Sequence, residues 1–148
     1  MSGPQFERNA AWPRMGCELH AQEFGPFGRE ALSRYAAISG DDNPLHLNPE
    51  SARAAGLADT PVHGMLMLAC FESFIKSWRH DLFVARLSAK FLRPVLAGES
   101  IRISGRVLRS RSAPHRELIL RLFARTPNDD PAILGEAEVL PAGPGSGG

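Results

Sequence analysis

Residues 39–46 read S-G-D-D-N-P-L-H and set a carboxylate and an imidazole five positions apart around a proline. On a continuous α-helix that step would turn the two side chains well away from each other. Pro44 bars a helix through the stretch and drives Asn43 toward extended backbone. The chain must therefore turn, and a rigid turn can aim Asp41 and His46 at one point. An imidazole titrates near neutrality, at about 6.5, while an aspartate is anionic. Converging on a water, the two form an acid–base pair, and each positioned proton-transfer group can contribute roughly 10²–10⁴-fold to a rate. The same residues also suit a local use, with Asp41 capping a turn, Asn43 making an Asx-turn and His46 packing at a helix start. Asp42 reads as solvated.

A second candidate is T-P-V-H-G-M, residues 60–65, at the start of an apolar helix. The first N–H groups of a helix have no internal acceptor, and the helix dipole favours negative charge there. Gly64 has no side chain to bar approach to its N–H. A carbonyl oxygen docked on it would meet an oxyanion hole, worth about 3–4 kcal/mol as charge develops. Gly64 equally suits close packing, and His63 suits a structural role. His46 and His63 do not make a zinc site, since no third ligand is suitably spaced in the sequence. No metal and no cofactor is expected.

The elements that must position these groups follow from periodicity. Residues 15–24 read as a strand, with Met15, Cys17, Leu19 and Ala21 alternating, ended by Gly25-Pro26. Ala31, Leu32, Tyr35 and Ala36 mark one face of a helix at about 28–38, which Gly40 stops. Asn48 and Pro49 open a short helix at 49–55. From His63 to Trp78 apolar residues cover most of a helix circumference, which predicts a helix buried on nearly all sides. Period-2 runs at 83–92, 101–104, 118–124 and 133–139 predict strands with one wet face; Phe83, Ala85, Leu87, Ala89 and Phe91 are assigned to one face of the first. Early helices and late strands give an α+β fold, a curved antiparallel sheet wrapped around a long central hydrophobic helix. Residues 1–14 are expected to be flexible, 15–140 to form one domain, and the Pro/Gly tail 141–148 to be disordered.

Composition narrows the function classes. The 148-residue chain has 43% hydrophobic and 22% charged residues and a net charge of +1, which fits a globular domain and argues against bulk nucleic-acid binding or an anionic membrane surface. No stretch approaches the roughly 18 apolar residues of a membrane span, and the start carries no signal-peptide run. Two cysteines, Cys17 and Cys70, read as reduced and buried thiols, so a cytoplasmic setting is expected.

The run Y-A-A-I-S-G-D-D-N-P-L-H-L-N-P-E-S-A, residues 35–52, resembles the signature of the MaoC-like, (R)-specific enoyl-CoA hydratases. Tyr35, Ile38, Ser39, Gly40, Asp41, Asn43, Pro44, Leu45, His46 and Ala52 agree with it. P-V-H-G-M-L, residues 61–66, resembles the family's helix start, and the likeness covers about residues 15–140. The resemblance implies a hot-dog fold, paired edge to edge into a homodimer with the site near the interface. It implies that Asp41 and His46 activate water for addition to C3 of a trans-2-enoyl thioester of coenzyme A or acyl carrier protein. The Gly64 N–H would hold the thioester oxygen, and Asn43 and His63 would shape the site. Where relatives carry a small polar residue about eight positions after the H-G, this chain reads A-C-F-E-S, so Glu72 or Ser73 stands there.

Two other uses of such a fold stay open at this point. A thioesterase would use an acid on or near the central helix, for which Glu72 is available. A non-catalytic acyl-CoA-binding module would not need both Asp41 and His46. Nine arginines between Arg86 and Arg125 could meet the phosphates of coenzyme A, and none is singled out.

Overall fold

The structure, a computed structural model, describes residues 11–143. The elements run β1 (Glu18–Phe24), α1 (Arg29–Ser39), α2 (Pro44–Leu47), α3 (Pro49–Ala54), α4 (Gly64–Trp78), β2 (Leu82–Phe91), β3 (Ile101–Arg111), β4 (Glu117–Arg125) and β5 (Pro131–Pro141). The five strands form one antiparallel sheet in the order β1-β3-β4-β5-β2. The α+β architecture is as expected. Alternation in β4 puts Leu118, Leu120, Leu122 and Ala124 at 0% exposure, and in β5 Ile133, Ala137 and Val139 do the same. Against that face lie Met67, Phe71, Phe74 and Ile75 of α4. Each Å² of apolar surface that this helix–sheet contact removes from water contributes roughly 25 cal/mol to the stability of the fold.

Four expectations need correction. Helix α4 is not buried all round. Met65, Ala69, Glu72, Ser73 and Lys76 lie along an exposed flank, and Met65 keeps 61% of its surface. In β2 a bulge between Val84 and Arg86 slips the alternation. Val84 faces inward opposite buried Val139 and Leu87 opposite buried Ala137, while Phe83 is 43% exposed rather than sharing their face. A bulge between Leu19 and Gln22 likewise spoils the simple alternation of β1, whose buried member is Leu19 alone. Cys17 is exposed and Cys70 half-buried, though both are free thiols.

Residues 11–14 are tied down rather than loose. Trp12 packs on the core, the Ser110 hydroxyl donates to the Pro13 carbonyl at 2.6 Å, and Arg79 donates to that of Ala11 at 3.2 Å. The remainder of the expected flexible start, and the tail from 144, lie outside the described residues.

Candidate active site

The opening motif is held by its own side chains. Gly40 ends α1 in the left-handed conformation at φ 79°, which a side chain would resist, and its N–H donates to Ala36. The Ser39 hydroxyl donates to the Tyr35 carbonyl at 2.7 Å and accepts from the Asp41 N–H at 3.1 Å. Asn43 caps α2, its Oδ1 accepting from the Leu45 N–H at 3.0 Å. Pro44 bars a helix only upstream of itself. At the first position of α2 it starts one, so His46 sits on a helical turn and not in an open loop.

The second motif is strapped to the segment after β2. Val62 donates to Val95 at 2.7 Å, Ala97 donates to Thr60 at 2.8 Å, and Pro61 bridges to Leu96. This fixes the Pro61 carbonyl, which lies 2.8 Å from Nδ1 of His46. A carbonyl only accepts, so Nδ1 carries a proton, and in the neutral ring the lone pair is at Nε2. That Nε2 lies 3.9 Å from Oδ2 of Asp41. The gap exceeds a hydrogen bond and suits one water about 2.8 Å from each atom. The Asp41 side chain is 51% exposed and that of His46 17%, so a substrate can reach the pair.

His63 is 1% exposed and stacks on His46, with ring centroids 4.1 Å apart and planes 22° from parallel. Its Nε2 donates to the Asp41 carbonyl at 3.1 Å, and Tyr35 meets it edge-on at 4.8 Å. Burial is the main cause that lowers the pKa of His63, with the Asp41 hydrogen bond opposing it and His46 adding to it. The ring is therefore neutral at physiological pH.

Asp41, His46 and His63 each offer a ligand-type atom within 4.8 Å of the others. The sequence spacing hid this third group, which corrects the reason given against a metal. The stacking supplies a better one. Metal ligation uses lone pairs in the ring plane, and two planes 22° apart with centroids 4.1 Å apart cannot both pass through one nearby ion.

Gly64 follows His63 directly and opens the 15-residue helix α4. His63, at the N-cap, makes no side-chain cap bond, so no side chain there takes up the first amides. A Cβ at Gly64 would fall 2.9 Å from Cε1 of Phe91. Phe91, which the sequence did not single out for the site, thus lies over the helix start while 49% exposed. Glu72 sits about 12 Å further along the axis, at 1.5 Å per residue, and pairs with Lys76 at 3.7 Å on the exposed flank. Of the C-terminal arginines, Arg93, Arg111, Arg121 and Arg125 each have an acid within 4.0 Å, and Arg116 lies over Trp12.

A family model described as a MaoC like domain matches residues 14–119. The chain belongs to the MaoC-like domain family. A curated relative of this MaoC-like chain, an (R)-specific enoyl-CoA hydratase of Aeromonas caviae, is 31% identical over 117 residues, 76% of this chain and 85% of the relative. A mitochondrial 3-hydroxyacyl-[acyl-carrier-protein] dehydratase of Arabidopsis thaliana is 40% identical over 75 residues, 51% of this chain and 45% of the relative. The MaoC-like chain thus spans less than half of that Arabidopsis protein. Among solved structures, an (R)-hydratase from A. caviae superposes with a TM-score of 0.80 at 25% identity, covering 90% of this chain and 100% of that one. The fold is the hot dog that the sequence resemblance implies.

Proposed function

We propose that this MaoC-like chain catalyses reversible addition of water to a trans-2-enoyl thioester, giving the (R)-3-hydroxyacyl thioester. One observation carries the reading: Nε2 of His46, the ring nitrogen left free by the Nδ1–Pro61 contact, and the Asp41 carboxylate stand 3.9 Å apart, beside a helix start that lacks a side-chain cap. His46 Nε2 takes a proton from a water that Asp41 holds. The water oxygen bonds to C3, and the C2–C3 electrons move toward the thioester. The Gly64 N–H stabilises the oxygen as it becomes enolate-like. The proton then returns to C2, so the elements of one water are added. In reverse, the 3-hydroxyacyl thioester loses water. Asn43 and His63 shape the site. The relatives' names support this reaction type, the (R) configuration, and a carrier that is coenzyme A or acyl carrier protein.

The reading includes a homodimer, a second copy covering the apolar surface that Met65 and Phe91 expose beside the site. It keeps the cytoplasm as the compartment, which two free cysteines suit. Among the described residues no helix is long and apolar enough to cross a membrane.

Crotonyl-CoA and purified protein test the reaction. Loss of enoyl absorbance without free thiol is the expected result. Thiol release would indicate a thioesterase. Binding without either change would indicate a module that holds acyl-CoA only.

A further inference from the structure

We propose that His63 is a positioning residue for the Asp41–His46 pair, fixing the imidazole by stacking and the carboxylate through its backbone. This rests on the reading of those two residues as the proton-transfer pair.

The contacts of His63 divide between the two partners. His46 is anchored by one hydrogen bond, Nδ1–H to the Pro61 carbonyl at 2.8 Å. A single bond fixes one point of a ring and leaves its tilt free. The His63 face, 4.1 Å away and 22° from parallel, fixes the plane. Asp41 follows a left-handed glycine and has an exposed side chain. Its N–H is held by Ser39 Oγ and its carbonyl by His63 Nε2–H at 3.1 Å. Both ends of the 3.9 Å gap are thus referred to one buried ring, which Tyr35 braces edge-on at 4.8 Å.

The orphan atom of His63 is consistent with this double duty. With Nε2–H donated to Asp41, Nδ1 is a bare lone pair, buried and without a partner among the described residues. A leucine would fill the space without that penalty. It would supply neither a flat face nor an N–H. Histidine supplies both, at the cost of one unsatisfied nitrogen. A neutral face also accepts the positive charge that His46 acquires when it takes a proton.

Three variants separate the two contacts. His63→Phe keeps the ring and loses the donor. His63→Gln keeps an amide donor and loses the ring. His63→Ala loses both. For crotonyl-CoA hydration, His63→Ala is expected to lower kcat about a hundredfold with KM within about threefold, and Phe and Gln each to restore part of it. In ¹⁵N–¹H spectra the His46 Nδ1–H is expected to stay a single sharp resonance in the wild type and His63→Phe, and to broaden in His63→Gln and His63→Ala. A folded His63→Ala protein with wild-type kcat and an unchanged His46 resonance overturns the proposal. If His63→Ala does not fold, wild-type kcat in both Phe and Gln overturns it. The resonance does not depend on turnover: if it behaves as expected in a wild type that does not hydrate crotonyl-CoA, the positioning of His46 stands and the hydratase reading falls.

Discussion

Nε2 of His46 and Oδ2 of Asp41 face each other across 3.9 Å, with Nδ1 of the same imidazole tied to the Pro61 carbonyl at 2.8 Å. The separation matters as much as the pair of functional groups. Asp41→Glu keeps the charge and adds one methylene, which closes the gap a water would fill. Its hydration kcat should fall at least about tenfold, while the melting temperature stays close to wild type. Steady-state rates beside a thermal melt check this.

Gly64→Ala places a methyl group 2.9–3.0 Å from the Phe91 ring. Phe91 is 49% exposed and can swing aside, so the protein should fold with a shifted ring over the helix start. Hydration should drop about tenfold or more, because the added methyl group and the shifted ring crowd the thioester oxygen away from an N–H that alanine retains. Adding Phe91→Leu to Gly64→Ala should recover stability more than kcat. Urea titration and kcat on the single and double variants separate the two effects.

Two asparagine caps give an internal comparison. Asn43 Oδ1 accepts from Leu45 N–H, and Asn48 Oδ1 accepts from Glu50 and Ser51 N–H. Either Asn→Ala change should cost about 1 kcal/mol of stability. Only Asn43→Ala displaces the turn that carries His46, so it should lower kcat well beyond Asn48→Ala. Equal kcat in the two variants would detach Asn43 from the site.

His63 contributes a pH dependence of stability. Its folded pKa lies below the ordinary 6.5 because burial disfavours the charged ring. Between the folded and unfolded values the unfolded chain binds the extra proton, so stability is present above about pH 6.5 and falls as the pH drops toward the folded value, by at most about 1.4 kcal/mol per pH unit. Asp81, its pKa lowered chiefly by the Arg79 hydrogen bond, acts in the same direction at lower pH. Urea midpoints at pH 7.5 and 5.5 should differ in the wild type, and the difference should shrink in His63→Phe.

The sequence was legible where one chain segment carries its own pattern. The strict alternation of β4 and β5 reads directly as a buried face, and Gly40, Asn48, Pro49 and Gly64 mark helix ends by their own backbone chemistry. What escaped depends on partners. The slip of β2 at Ala85 exists only against the register of β5, so simple alternation places Phe83 on the wrong face. The bare flank of α4 depends on how far one sheet reaches around a helix. In the site, Asp41, His46 and Gly64 stand out by type and spacing, the family resemblance adds Asn43 and His63, and the structure brings Asp41, His46 and His63 together with Gly64 next in the chain. The Pro61 carbonyl that sets the His46 tautomer is a backbone atom with no residue-type signal. The stack between His46 and His63 joins residues seventeen apart, and Phe91 reaches Gly64 from the edge strand; neither shows in a local pattern.

The most direct measurement is kcat for crotonyl-CoA hydration in Asp41→Asn and His46→Ala, each checked for native melting behaviour. Both should lose roughly 10²–10⁴-fold relative to wild type, the worth of a positioned proton-transfer group. Either folded variant retaining near wild-type kcat would contradict the assignment of these two residues to the activation of water.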